Sequence, residues 1–412
     1  MSENNSKIEP RLLKGFRDFG PMEQLTRQQM FSKIQSVFER FGFLPLSTPI
    51  LEYKDILLGK IGEDEKLIYS FKDHGERDVA IRYDLTVPLA RYVAQNQGQL
   101  TFPFKRYQIS PVLRADKPQK GRLREFYQCD VDAVGTDSPL ADAEVIACLC
   151  TALEAVGVKN YRVRLNDRVV FKDFSVATIR AIDKIDKIGL EGIVEEMKTN
   201  GVSEEEIERA KKLVDGSGAT PENVANIISI LEDFNLSGKV EFDSSIARGL
   251  DYYTGTVFEI YLTEKPEFGS VCSGGRYDNL VDKFSNHSLP AVGGSIGVDR
   301  LLDALEDMGV VKKAQPVKAL VLNQAEGLQK EYVKMVTDLR EQGVNAEVYY
   351  STAKLDKQFK YAESKGIPYA IIIGEKEAGE GKAQLKNLQT RDQEELTQTD
   401  VIKKLIQTQE LN

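Results

Sequence analysis

Two runs rich in β-branched and aromatic residues, near 102–114 and 123–134, flank a polar stretch holding Lys117, Pro118, Lys120 and Gly121. Runs of that composition, interrupted by Pro and Gly, read as paired strands with a loop between them. The spacing predicts an antiparallel hairpin with a long basic tip. Arg114, Lys117, Lys120, Arg122 and Arg124 gather there, a set suited to a triphosphate and to the end of an RNA. One charge run alone is usually a solvated loop. Here apolar strands deliver the charges from both sides.

A second string, Ala247-Arg-Gly-Leu-Asp-Tyr-Tyr-Thr-Gly-Thr-Val-Phe-Glu259, places a cation, a carboxylate and two adjacent tyrosines beside a β-rich run. Its composition predicts a strand over 252–261. In a strand, Tyr252 and Tyr253 would point to opposite faces. Gly249 and Gly255 bracket the pair, where backbone bends or admits a ligand closely.

Other elements follow from periodicity. Pro21 opens a helix to about Phe41, with Phe31, Ile34, Phe38 and Phe41 on one face and Gly42 as a stop. An extended segment, 43–51, is punctuated by Pro45 and Pro49. Residues 81–88 read as a strand entering a helix, with Asp84 placed to cap it, and Ser138-Pro139 starts another helix. From 169 to 243, alternating charged and isolated apolar residues predict a helical insertion with solvated faces. Residues 292–301 run through glycines into a helix that carries Arg300 in its first turn. After a linker at 311–316, strand and helix periods alternate, which predicts a small α/β domain.

Composition excludes several classes. A net charge of −9 argues against a non-specific nucleic-acid coat, though a few placed cations suffice for an RNA enzyme. With four cysteines in 412 residues and only His74 and His287, neither a disulfide scaffold nor a zinc site is expected. No apolar run reaches the length of a membrane span, and 1–10 does not read as a signal peptide.

Three of these segments resemble class II aminoacyl-tRNA synthetases in their histidyl version. The string at 247–259 resembles the histidine-binding signature, 104–132 resembles motif 2, and 292–301 resembles motif 3. The helix and strand of 21–51 look like motif 1, a dimer element. The resemblance implies an α+β fold: an antiparallel sheet flanked by helices in two parts, 1–168 and 244–311, the insertion 169–243, and an anticodon-binding domain at 316–412. It implies a homodimeric, cytoplasmic ligase of L-histidine, ATP with Mg2+, and tRNA(His), with no zinc, no organic prosthetic group and no membrane partner. Carried over by position, Arg114 and Arg248 are catalytic and also touch histidine. Asp84, Thr86 and Gln128 hold its α-ammonium. Asp132 and Tyr253 read its imidazole, and Tyr252 and Tyr277 complete the pocket. Arg114, Phe126 and Arg300 bind ATP, while Gln119, Lys117 and Lys120 meet the tRNA acceptor end. Asp84 and Asp116 stand where many relatives carry Glu, one methylene longer. A non-catalytic relative, the histidine-sensing regulatory subunit of ATP phosphoribosyltransferase, is the alternative. It generally lacks a C-terminal domain and has a degraded signature, whereas this chain keeps both.

Overall fold

The computed structural model describes residues 8–58, 67–117, 123–216, 219–247, 252–311 and 315–410. They form two compact units, residues 1–312 and 313–412.

In the first unit the strands are β1 (Leu44–Pro45), β2 (Leu51–Tyr53), β3 (Ser70–Lys72), β4 (Asp78–Ile81), β5 (Phe104–Leu113), β6 (Glu125–Val134), β7 (Tyr161–Asp167), β8 (Val240–Phe242), β9 (Thr256–Leu262), β10 (Ser270–Arg276) and β11 (Ala291–Gly297). Eight of them make one sheet in the order β1-β5-β6-β11-β10-β9-β7-β8, and β2, β4 and β3 make a small second sheet. The large sheet is antiparallel except at its margins, where β1 lies parallel to β5 and β8 to β7. β11, the last of its strands in the chain, occupies the middle, between β6 and β10. The hairpin β5–β6 is as the spacing predicts, with Phe104 opposite Val134 and Leu113 opposite Glu125.

The helices of this unit are α1 (Pro21–Arg40), α2 (Lys54–Leu58), α3 (Thr86–Asn96), α4 (Pro139–Ala155), α5 (Val176–Ile182), α6 (Ile185–Thr199), α7 (Glu204–Val214), α8 (Glu222–Leu231) and α9 (Val298–Asp307). α1 starts at the expected Pro21, and Gly42 just beyond it takes a positive φ of 79°, which favours glycine. The main core lies between one face of the large sheet and α1, α4, α8 and α9. Ile34, Phe38, Ile146, Leu149, Ile227, Leu301, Cys129, Val131 and Ile296 are buried in it. Period two along β6 sends Cys129, Val131 and Ala133 into this core and leaves the alternate residues on the opposite face.

Two expectations change here. The stretch 169–243 is not one insertion. α5, α6 and α7 share a separate apolar cluster with Phe171, Ile193 and Ile207, but Val224, Ile227 and Leu231 of α8 belong to the main core and β8 pairs in the main sheet. Nor is 252–261 one strand. β9 begins at Thr256, and Tyr252 and Tyr253 precede it in irregular backbone.

The second unit has five strands, β12 (Ala319–Val321), β13 (Ala346–Val348), β14 (Tyr369–Ile372), β15 (Lys382–Asn387) and β16 (Gln393–Thr397), in the order β13-β12-β14-β15-β16. Its helices α10 (Gln329–Glu341), α11 (Leu355–Lys365), α12 (Glu375–Glu380) and α13 (Gln398–Glu410) complete an α/β domain around Val321, Tyr332, Ile371 and Leu385. Periodicity missed α12 and β16. α12 is a short helix, four of its six residues charged, with no apolar stripe, and β16 is mostly exposed.

Candidate active site

The face of the large sheet turned away from the main core carries polar residues in cross-strand rungs. One rung runs Arg106, Asp132, Gly293 and Gly275 across β5, β6, β11 and β10. The next runs Gln108, Asp130, Ser295, Ser273 and, on β9, Glu259. A third holds Ser110, Gln128 and Gly297. The glycines keep the floor of this face bare. A Cβ at Gly293 would stand 2.0 Å from Asp132 Oδ1, and one at Gly275 would stand 2.9 Å from the Tyr253 ring.

Over this floor lies a cleft of about 350 Å³ lined by Asp84, Thr86, Arg114, Gln128, Asp130, Asp132, Tyr252, Tyr253, Glu259 and Tyr277. It adjoins a second hollow lined by Arg114, Asp116, Phe126, Ser270, Arg300 and Asp303, and Arg114, Gln128, Ser273, Ser295 and Arg300 belong to both. Tyr252 and Tyr253 thus meet one cavity, their rings edge to face with centroids 5.0 Å apart, and Tyr277 closes on Tyr252 at 5.8 Å. The opposite-face expectation fails because the pair sits in a turn, where period two does not apply.

At the inner end, Asp132 is buried between two donors. The Tyr277 hydroxyl donates to Oδ1, and Arg106 Nη2 lies 2.8 Å from Oδ2. Arg106 is fully buried, and its Nη2 hydrogen bond goes to the Leu85 carbonyl at 3.0 Å, so the contact with Asp132 is an ion pair by distance. Burial pushes the Asp132 carboxyl up, against Arg106 and Tyr277. Asp130 is raised by burial too, with Arg106 opposing and the Asp132 charge adding to the rise. Tyr252 and Tyr277 are likewise pushed upward by burial, which keeps both hydroxyls protonated.

Asp84 enters from the start of α3. Its Oδ1 accepts from the Val87 N–H in the first turn at 3.2 Å, a contact made from one residue before the N-cap Leu85, and Oδ2 accepts from the Tyr252 hydroxyl at 3.3 Å. Burial lifts this carboxyl to about 6, against the Val87 N–H, Arg114 and Tyr252. Gln128 Nε2 donates to the Ser295 hydroxyl at 2.9 Å. Gln128 Oε1, Asp130 Oδ1, and Arg106 Nε and Nη1 are buried with no hydrogen-bond partner among the described residues. Buried unpaired groups of this kind mark a place for a polar ligand or water.

Toward the outer hollow, Arg114 is aimed by its Nε–H, which donates to the Tyr83 carbonyl at 2.9 Å, and its guanidinium lies 5.3 Å from the Phe126 ring centre. Arg300 Nη1 donates to the Ser270 carbonyl at 2.7 Å. Beneath them a buried pair, Arg27 and Asp299 at 2.8 Å, joins α1 to α9, and Asp299 Oδ2 accepts from the Tyr127 N–H at 2.8 Å. Preorganised cations beside a bare floor and several carboxylates suit a zwitterionic ligand next to a polyphosphate.

The cleft therefore brings together Asp84, Thr86, Arg114, Gln128, Asp132, Tyr252, Tyr253 and Tyr277, with Phe126 and Arg300 in the adjoining hollow. Arg248, Gln119 and Lys120 lie outside the described residues, and Lys117 is exposed. Sequence reasoning missed Arg106, Asp130, Ser295 and Glu259. Period two through Gln128 and Asp132 implicates Asp130 directly, whereas Arg106 and Ser295 require the strand register.

Comparison with known proteins is consistent along the chain. Residues 15–301 match a family model described as histidyl-tRNA synthetase, and 317–408 match one described as anticodon binding domain. The histidine–tRNA ligase of Rhodopirellula baltica is 41% identical, across 94% of this chain and 96% of its own length. That of Clostridium tetani is 39% identical, across 96% and 98%. The crystal structure of histidyl-tRNA synthetase from Nostoc sp. PCC 7120 superposes with a TM-score of 0.85 at 32% identity, covering 98% of this chain and all of that one.

Proposed function

The chain belongs to the histidyl-tRNA synthetase family, and from that premise we propose how its residues divide the work. It is an aminoacyl-tRNA ligase that charges tRNA(His) with histidine. The histidine carboxylate attacks the α-phosphorus of ATP, giving histidyl-adenylate and pyrophosphate. A terminal ribose hydroxyl of the tRNA then takes the histidyl group.

The first step brings two anions together and spreads negative charge over the α-phosphoryl oxygens. Fixed cations and alignment serve it better than a proton acceptor. In our reading Arg114, aimed by the Tyr83 carbonyl, holds the α-phosphate and the attacking carboxylate. Arg248 faces the same phosphate from the other side, Arg300 holds the γ-phosphate, and Phe126 stacks on adenine. ATP enters as its magnesium complex. Asp84, Thr86 and Gln128 receive the α-ammonium, while Asp132 and Tyr253 read the imidazole, with Tyr252 and Tyr277 as walls. Arg106 holds the Asp132 carboxylate from the neighbouring strand β5. Lys117, Gln119 and Lys120 meet the acceptor end, and 316–412 the anticodon end.

The observation that carries this reading is the convergence of the inner pocket and the cationic hollow on shared residues, Arg114 and Gln128. Histidine-dependent ATP–pyrophosphate exchange tests it. We expect exchange with histidine alone among the amino acids, and charging of tRNA(His). Histidine binding without exchange would instead restore the regulatory-subunit alternative, which full-length similarity to ligases does not favour.

We also propose a cytoplasmic homodimer. Leu44, Ile50, Leu51 and Tyr53 are apolar and about half exposed around β1 and β2, a patch suited to a second copy. Fully active monomers in sedimentation at micromolar concentration would refute the dimer.

A further inference from the structure

The turn that carries Tyr252 and Tyr253 into the cleft lies outside the β9–β10 ladder, which ends where Val257 faces Gly275. Thr254, the next residue, ties it down. Its N–H donates to the Arg276 carbonyl at 2.8 Å. Its hydroxyl donates to Asp278 Oδ2 at 2.9 Å and accepts from the Asp278 N–H at 3.0 Å. The Arg276 carbonyl is also 3.3 Å from that hydroxyl, but a hydroxyl has one hydrogen to give and the Asp278 contact is the shorter. The far side of this clip is itself anchored. Arg276 is buried, its Nε donates to Asp142 Oδ1 on α4 at 3.2 Å, and its Nη1 donates to the Thr136 carbonyl at 2.9 Å and to Asp278 Oδ1 at 3.3 Å. A hydrogen-bonded chain thus runs from the start of α4 to the residue after Tyr253.

We propose that Thr254 is a positioning residue for the imidazole of histidine: its hydroxyl, clipped to Asp278, fixes the backbone from which the Tyr253 ring leaves. The inference rests on the assignment of Tyr253 to the imidazole. Thr254 itself is exposed and is not among the residues lining the cleft, so its side chain acts on the ligand only through its neighbour. On its other side the Tyr253 ring lies against Gly275, where an added Cβ would stand 2.9 Å from it. Clip and bare floor together leave the ring one place to stand. A displacement of about an ångström parts a hydroxyl from a ring nitrogen, because hydrogen bonds weaken steeply beyond normal length.

The test uses the full chain in histidine-dependent ATP–pyrophosphate exchange. Thr254→Val keeps the shape of the side chain and loses the hydroxyl, and Thr254→Ser keeps the hydroxyl. At an exposed position neither should unfold the protein. Thr254→Val should raise the KM for histidine about fivefold to tenfold, the scale of one neutral hydrogen bond, with the KM for ATP unchanged. Thr254→Ser should stay near wild type. Tyr253→Phe and the double variant complete a cycle: on the Tyr253→Phe background, Thr254→Val should add less than about twofold, because the group it positions is already gone. A wild-type KM for histidine in Thr254→Val, an equal rise in Thr254→Ser, or the full factor retained on the Tyr253→Phe background would each refute the clip. If Tyr253→Phe alone leaves the KM for histidine unchanged, the assignment of Tyr253 fails, and this inference with it.

Discussion

Gly293→Ala is the substitution that probes the bare floor most directly. The added methyl would lie 2.0 Å from Asp132 Oδ1 and 2.9 Å from the Val131 carbonyl oxygen. Ordinary contact begins near 3.4 Å, so the Asp132 carboxylate must move by more than an ångström. It cannot do so and keep both the Tyr277 hydroxyl and Arg106 at 2.8 Å. Breaking a buried ion pair leaves Arg106 charged and uncompensated, a loss of about 3–5 kcal/mol. For a unit of this size that corresponds to a fall in Tm of roughly 5–8 °C. Surviving folded protein should show a raised KM for histidine in ATP–pyrophosphate exchange and a nearly normal KM for ATP, because the outer hollow is untouched. Gly297→Ala on the same strand is the control, since its methyl meets only the Val271 carbonyl oxygen, at 3.8 Å. A Gly293→Ala enzyme with wild-type Tm and wild-type KM for histidine would refute the argument that Asp132 is held in place by an empty position.

Arg248→Ala should leave the fold intact and lower adenylate formation by about two to three decades, as for loss of one preorganised charge at a developing anion; single-turnover rates within threefold of wild type would remove Arg248 from the reaction. Asp84, lifted by burial to about 6, binds its proton more tightly folded than unfolded, so its ionisation costs stability as pH rises from about 4 to 6. A bound ammonium favours the carboxylate. The KM for histidine should therefore climb as pH falls through about 6, and dividing by the KM of Asp84→Asn removes the ligand's own imidazole titration; a flat ratio would show that Asp84 does not meet the ammonium. The loop at 117–121 resembles that of bacterial relatives, which read an additional guanosine at the 5′ end of histidine tRNAs; on that resemblance Gln119→Ala should reduce discrimination between tRNAs with and without this guanosine, whereas Lys120→Ala should weaken charging of both alike and flatten its salt dependence; equal discrimination by wild type and Gln119→Ala would remove Gln119 from acceptor-end recognition.

Much of this architecture is legible in the sequence because period and punctuation agree. Pro21 and Gly42 bound α1, and the polar break at 114–124 separates β5 from β6. What was not legible depends on pairing. Arg106 reads as one cation among several on a strand, and only the register that sets it opposite Asp132 makes it a buried partner. α8 resembles its neighbours in the insertion, since an amphipathic helix does not state which surface it covers. Its Ile227 and Leu231 face the main core because β8 returns the chain to that sheet. Tyr252 and Tyr253 show that composition finds a strand but not its first residue. Two aromatics that would have been split by a pleat are joined by the turn before it.

The place of β11 has a consequence for how the protein is made. The chain reaches 291–297 only after all the other strands of the large sheet have been synthesised, yet this segment fills the gap between β6 and β10. Until it emerges, the sheet can exist only as two halves, β1-β5-β6 and β10-β9-β7-β8, each with an open edge. Open edges invite pairing with other chains, and on a ribosome the neighbouring nascent chains carry the same edges. Asp130 and Asp132 on the β6 edge put charge where such pairing would start. The inserted segment, Ala-Val-Gly-Gly-Ser-Ile-Gly, has little strand propensity of its own, so it orders only when both halves are present to receive it. Histidine binding therefore reports complete synthesis of the first unit: a nascent chain stalled before residue 291 has every acid of the pocket and no pocket.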